Sequence, residues 1–154
     1  VTEGAAQTVL TAKHLINDDT PLMTMNSDQL VEWDVVDLFE DCKRFDALIP
    51  CFYGEGNAWS YARCGQDGYV EEVAEKKQIS EYATAGYYYW SKGSDFVKYA
   101  EQMIEDNSRT NGEFYVAPVY NWAIKDGKKI GVFMVDKLHS LGTPEDLKEY
   151  LGEV

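Results

Sequence analysis

The chain has 154 residues, 45% hydrophobic and 14% aromatic, and a formal net charge of −13. This is enough apolar material for one packed domain, and it excludes a disordered or fibrous chain. So acidic a surface repels phosphodiester backbones and excludes nucleic acid as a partner, yet leaves Mg²⁺ open, since carboxylates are its natural ligands.

Taken in order, Glu3 to Ile16 has good helical propensity and is stopped by Asn17-Asp18-Asp19. Pro21 opens the apolar run Leu22-Met23-Thr24-Met25, which reads as a buried strand delivering Asn26-Ser27-Asp28-Gln29 at its carboxyl end. Val31 to Phe39 has apolar spacing suited to a helix over the sheet. Ala47 to Tyr53 is a second apolar strand. A hairpin follows, Trp59 to Cys64 and Tyr69 to Ala74 around a turn at Gln66-Asp67-Gly68. Ala83 to Trp90 is β-prone, with Gly86 in its middle. Ser94 to Glu105 is an amphipathic helix with Ser94 as its N-cap, and Val116 to Ile124 is another that starts near Pro118. Asp126-Gly127-Lys128-Lys129 turns into the strand Ile130 to Val135. Thr143-Pro144-Glu145-Asp146 announces a last helix, with a threonine cap, proline at its first position and acids in its first turn. Strands alternating with helices predict a single α/β domain with a mixed, mostly parallel sheet and an inserted β-hairpin.

No run of about 18 apolar residues could span a membrane. No secretory signal is visible after Val1, although the chain begins without a methionine. Cys42, Cys51 and Cys64 are an odd number without a CxxC pair, and His14 and His139 are the only histidines. No zinc site and no nucleophile–histidine catalytic set is expected from them. Reduced thiols suit a cytoplasmic protein.

Chemistry in an open α/β sheet gathers beyond the carboxyl ends of its strands. Asp28 stands at such an end, where a carboxylate can hold Mg²⁺ against phosphate oxygens or simply form a turn or a cap. Glu75 and Lys76 follow the hairpin: one can accept sugar hydroxyls and the other can hold a phosphate, or both can belong to a solvated face. Gly4 lies in a helix start of small residues that permits close approach by a flat base. Tyr87-Tyr88-Tyr89-Trp90 suits stacking or core packing alike.

The pieces occur in a particular order: Thr2-Glu3-Gly4-Ala5-Ala6-Gln7, Met25-Asn26-Ser27-Asp28-Gln29, Glu75-Lys76, Thr84-Ala85-Gly86-Tyr87-Tyr88-Tyr89, Gly112-Glu113-Phe114-Tyr115 and Leu141-Gly142-Thr143-Pro144-Glu145-Asp146-Leu147. This succession resembles the sugar-1-phosphate nucleotidyltransferases over essentially the whole chain. The resemblance implies a three-layer α/β/α, Rossmann-like fold. It implies a reaction that joins a nucleoside triphosphate to a sugar 1-phosphate and releases pyrophosphate. It further implies that Gly4 lies against the base, Asp28 ligates Mg²⁺, Glu75 holds the sugar and Lys76 its phosphate, Gly86 lets substrate lie on its strand, and Glu113 stands on the sugar side.

Three departures accompany it. No segment matches the family's first strand–loop–helix unit, with its glycine-rich triphosphate loop. The chain therefore reads as the C-terminal two-thirds of such a domain, an incomplete domain expected to be inactive alone and prone to self-association as a homo-oligomer. Ser140 stands where many members carry a second metal-binding aspartate. Lys77 replaces the usual proline after Glu-Lys, which should loosen that turn. Two other functions fit the same residues: a glycosyltransferase using a nucleotide sugar, and a non-catalytic nucleotide- or sugar-binding module of the same fold.

Overall fold

A computed structural model describes residues 1–152. Its central strand is β3 (Ala47–Tyr53), whose side chains are buried on both sides. Ala47, Ile49 and Cys51 face one apolar cluster and Leu48 faces the other. Such a strand needs helices on both faces, and they are present. Helices α1 (Ala5–Leu10), α4 (Gly93–Glu105) and α5 (Tyr120–Lys125) cover one side through Ala6, Phe96, Ala100, Met103, Tyr120 and Ala123. Helix α3 (Val35–Cys42) covers the other through Leu38 and Cys42. The α/β/α layering is as expected.

The balance of strand directions is different. β3 pairs in parallel with β8 (Ile130–Met134), and every other pairing among the described residues is antiparallel. The mixed sheet is therefore mostly antiparallel rather than mostly parallel. The reason is visible in the chain: β3, β4 (Ser60–Cys64), β5 (Val70–Glu75), β6 (Tyr82–Thr84) and β7 (Tyr87–Trp90) follow one another without an intervening helix, and only a crossover of helical length sets neighbours parallel.

Segment 82–90 breaks at Gly86. β6 and β7 both lie along one edge of β3, but Thr84 is opposite Cys51 while Tyr89 is opposite Leu48. Five residue steps on one strand thus answer three on the other, and Ala85-Gly86 bulges out to absorb the surplus. Gly86 has φ +77°, a conformation that glycine adopts without a steric penalty. Pro50, in the middle of β3, lies opposite this bulge and its carbonyl accepts the Ala85 amide at 2.8 Å, so its missing N–H falls where the ladder is already interrupted. On their far edges β7 pairs with β1 (Leu22–Met25) and β6 pairs with β4. β1 and β4 therefore diverge at Gly86, and a cleft opens between them.

Several boundaries differ from the sequence reading. Glu3 to Ile16 is two short helices, α1 and α2 (Lys13–Ile16), interrupted at Thr11-Ala12. β1 is half-buried, because it lies at a sheet edge. The expected helix from Val31 to Phe39 begins as strand β2 (Gln29–Glu32). Its partner is β9 (Lys137–Ser140), a strand the sequence did not announce, and Asp34 then caps α3 by accepting the Val36 and Asp37 amides. Ser94 does not cap α4: Lys92 holds that place, while the Gly93 and Ser94 amides are satisfied by the carbonyls of Thr20 and Asp18. Ala117–Val119 is a 3-10 turn leading into α5. The last helix, α6 (Pro144–Leu151), carries the expected cap, completed as a reciprocal box by Asp146.

Candidate functional site

The cleft has a volume of 340 Å³ and brings together Asp28, Glu75, Lys76 and Gly86. Each reaches it for a local reason. Asp28 sits in the turn between β1 and β2, and the Gly86 carbonyl accepts the Asn26 amide at 2.9 Å, which fixes that turn to the bulge. Glu75 ends β5 directly opposite Ser60, which begins β4. Its side chain is only 5% exposed, and the Ser60 hydroxyl donates to Oε2. Burial pushes the Glu75 carboxyl above its ordinary range, opposed by the Ser60 hydrogen bond and the Lys76 charge.

Lys76 adopts φ +56°, a strained conformation for a residue with a Cβ. Its amide donates to Trp59 O at 3.1 Å and its Nζ to Ala58 O at 2.7 Å, which holds the ammonium against the cleft wall, 3.8 Å from Glu75 Oε1. The turn that follows, which contains Lys77, is tied down by two hydrogen bonds. Gln78 N donates to Asn57 Oδ1 at 3.0 Å, and Gly56 N donates to Gln78 Oε1 at 2.9 Å.

Two residues singled out from sequence lie elsewhere. Gly4 is outside the lining, which Ala5 supplies instead. A Cβ on Gly4 would stand 2.5 Å from the Phe114 carbonyl oxygen, so close packing of two protein backbones already requires a glycine here. Glu113 is exposed in the Thr110–Glu113 bridge, outside the lining, two residues from Tyr115, which does line the cleft. Burial, then the Glu113 and Glu75 charges, push the Tyr115 phenol up.

Residues outside the sequence-based site set fill much of the wall: Trp59, Ser60, Thr84, Tyr88 and Tyr115, with Asn26 and Gln29 at the rim. Tyr88 was visible only as part of the Tyr87–Trp90 aromatic run and the Thr84–Tyr89 motif. It is buried, its hydroxyl lies 3.0 Å from Thr84 Oγ1, and burial pushes its phenol to about 12. Ser60 carried no signal, because its partner Glu75 lies fifteen residues away on another strand.

Asp28 is exposed and shares the cleft with Ser140. A Cβ on Gly142 would stand 3.2 Å from Asp28 Oδ2 and 3.9 Å from Ser140 Oγ, so these groups converge at one end of the cleft. Among the described residues no three His, Cys, Asp or Glu side chains form a metal-holding group. One free carboxylate suits Mg²⁺ arriving with a polyphosphate, since that ion keeps several waters and takes one or two carboxylates plus substrate oxygens. It does not suit a resident all-protein ion.

A family model for nucleotidyl transferases matches residues 1–150. The chain belongs to the nucleotidyl transferase family. Solved structures share this nucleotidyl transferase fold at low sequence identity. A nucleoside-diphosphate-sugar pyrophosphorylase from Vibrio cholerae RC9 superimposes with a TM-score of 0.81 at 22% identity, over 98% of this chain and 66% of that one. A Bacillus anthracis protein provisionally named a glucose-1-phosphate thymidylyltransferase, in complex with sucrose, gives 0.75 at 17%, over 99% and 61%. A UDP-glucose pyrophosphorylase complexed with UDP-glucose gives 0.76 at 16%, over 100% and 64%. No curated protein matches this nucleotidyl transferase chain. The chain thus spans slightly less than two-thirds of the structures it resembles. No helix among the described residues is long and apolar enough to cross a membrane.

Proposed function

We propose that this cleft serves a sugar-phosphate nucleotidyltransferase, which converts a nucleoside triphosphate and a sugar 1-phosphate into a nucleotide sugar and pyrophosphate. The observation that carries the reading is the convergence of an exposed carboxylate, a buried carboxylate with one open oxygen and an ammonium around one cleft of 340 Å³. A phosphate oxygen of the sugar 1-phosphate attacks the α-phosphorus in line. A new P–O bond forms, the bond to the leaving oxygen breaks, and pyrophosphate departs with the electron pair. The nucleophile is already an anion, so no general base is required, and the protein's part is to align two anions and offset their charge.

In this reading Lys76 holds the sugar phosphate as a point charge, exchanging the Ala58 carbonyl for it. Glu75 accepts a sugar hydroxyl at Oε1. Gly86 lines the cleft beneath the Gln29 and Asn26 side chains, which would swing aside for the sugar to lie on its strand. Asp28 would hold Mg²⁺, which supplies charge neutralisation on the phosphates when bound. The free thiols Cys42, Cys51 and Cys64 suit the cytoplasm, and the exposed Val35, Val36 and Phe39 of α3 suit a homo-oligomer.

One observation favours a second reading. Ser140 supplies a hydroxyl where a second carboxylate would complete a stronger metal site, as in a fold that binds nucleotide or sugar without turning it over. Thermal melts separate the two. The nucleotidyltransferase reading expects a sugar 1-phosphate with Mg²⁺ and nucleotide to raise the melting temperature, with the Mg²⁺-linked part lost in Asp28→Asn and the sugar-phosphate part weakened in Lys76→Ala. Turnover is assayed on the protein that carries this chain. Protection that is indifferent to Mg²⁺ supports the binding module, and no protection by any sugar 1-phosphate rejects the substrate class.

A further inference from the structure

The two oxygens of Glu75 are not equivalent. Ser60 begins β4 opposite Glu75, and its hydroxyl donates to Oε2. Both groups are nearly out of solvent, with Ser60 retaining 7% exposure and the Glu75 side chain 5%. The same serine hydroxyl reaches the hydroxyl of Tyr88, which is paired in turn with Thr84. Among the described residues Oε1 accepts no hydrogen bond and stands 3.8 Å from Lys76 Nζ. One oxygen is committed to the protein and the other is open.

We propose that Ser60 is a specificity-determining positioning residue, which occupies Glu75 Oε2 so that Oε1 alone meets substrate and the site takes sugar phosphates offering one hydroxyl there rather than two adjacent ones. The assignment rests on the substrate class given above. A carboxylate with both oxygens free can accept from two neighbouring donors at once. With Oε2 filled, a second sugar hydroxyl entering this buried corner loses its water without gaining an acceptor, a mismatch that lowers affinity roughly tenfold.

The charge state of Glu75 follows from the same contact. Burial disfavours its ionised form, while the Ser60 donor and the Lys76 ammonium favour it. The phenols of Tyr88 and Tyr115 also face it, and Asp28 lines the same cleft. Removing the Ser60 hydroxyl takes away one of the two favourable partners.

The test combines ¹³C-NMR titration of the Glu75 carboxyl in this chain with calorimetric binding of a hexose 1-phosphate and its monodeoxy analogues. In Ser60→Ala the Glu75 midpoint should rise, and preference for the parent sugar over its deoxy analogues should increase about tenfold as Oε2 becomes free. Ser60→Thr, which keeps the hydroxyl, should restore both values. Ser60→Cys, a weaker donor of similar size, replaces the alanine variant if that one does not fold. An unmoved midpoint or an unchanged sugar preference, in variants that bind, overturns the role of Ser60 and leaves the substrate class standing. Failure of the unsubstituted chain to bind any sugar phosphate overturns the substrate class and this selectivity with it.

Discussion

The carbonyl of Asp28 accepts the Leu141 amide at 2.8 Å, which ties the turn after β1 to the end of β9. Gln29 pairs with Ser140 one step further along the same ribbon. Positions 28 and 140 are therefore held side by side by backbone alone, whatever their side chains do. Ser140→Asp should place a second carboxylate beside the first and tighten Mg²⁺ binding about tenfold or more, since the ion uses up to two such ligands. The substitution has a cost, because Ser140 Oγ now donates to Asp146 Oδ2 at 3.0 Å and a carboxylate there would repel it. The variant should melt lower than the parent without metal and recover with it. Isothermal titration with Mg²⁺ and paired melts check both halves.

Gly86→Ala should separate the geometry of the bulge from general stability. The added Cβ would fall 1.6 Å from Gln29 Oε1 and 2.8 Å from Asn26 Nδ2, at φ +77°. The two side chains can swing away, but the left-handed backbone cannot relax without breaking the register of β6 or β7. A loss of about 1–2 kcal/mol is expected from the backbone conformation alone. Urea denaturation measures it, and displaced amide resonances of Asn26 and Gln29 would show that the rim of the cleft has moved.

These positions also show how far the sequence could be read. Asp28, Glu75, Lys76 and Gly86 could be singled out because each marks the end or break of a strand, and the order of the motifs suggested the roles proposed for them. Ser60 and Tyr88 could not be, since their roles depend on which strand lies opposite, and local pattern does not encode pairing across fifteen or more residues. The same limit misjudged the sheet. Helix–strand alternation suggested crossovers, but β4 through β7 fold back on one another, and β2 with β9 form a ribbon from segments over a hundred residues apart. Gly4 was legible as a glycine that something must approach closely. What approaches is the Phe114 backbone, a distant part of the same chain.

Glu75 predicts a pH signature. Its carboxyl is held above the ordinary range chiefly by burial, so the folded chain keeps its proton longer than the unfolded chain does. Where the folded state binds more protons, stability falls as pH rises. The contribution of Glu75 is thus most favourable below its unfolded pKa and is lost on going up through the folded one. Glu75→Gln can still accept from Ser60 and carries no charge to bury. Its advantage over the parent in unfolding free energy should grow with pH across the carboxylate range and then level off. A constant difference at all pH values would show that Glu75 does not titrate differently in the fold.

The core against which this site is built has its own centre in Trp90 and Tyr120. Their rings stack with centroids 4.4 Å apart and planes inclined by 2°, and both side chains are essentially solvent-free. Trp90 lies on β7, four residues beyond the bulge, and Tyr120 opens α5, so the stack fixes the helical layer to the strand that carries Gly86. Trp90→Ala should cost about 3–5 kcal/mol, the usual price of an emptied aromatic site. Tyr120→Phe keeps the ring and removes only the hydroxyl that donates to Tyr89 O at 3.1 Å, so its loss should be near 1 kcal/mol, mostly from the carbonyl left without that donor. Denaturant titration of the two variants ranks them. A Tyr120→Phe loss as large as that of Trp90→Ala would mean that the hydrogen bond, and not the stacked surface, anchors α5 to the sheet.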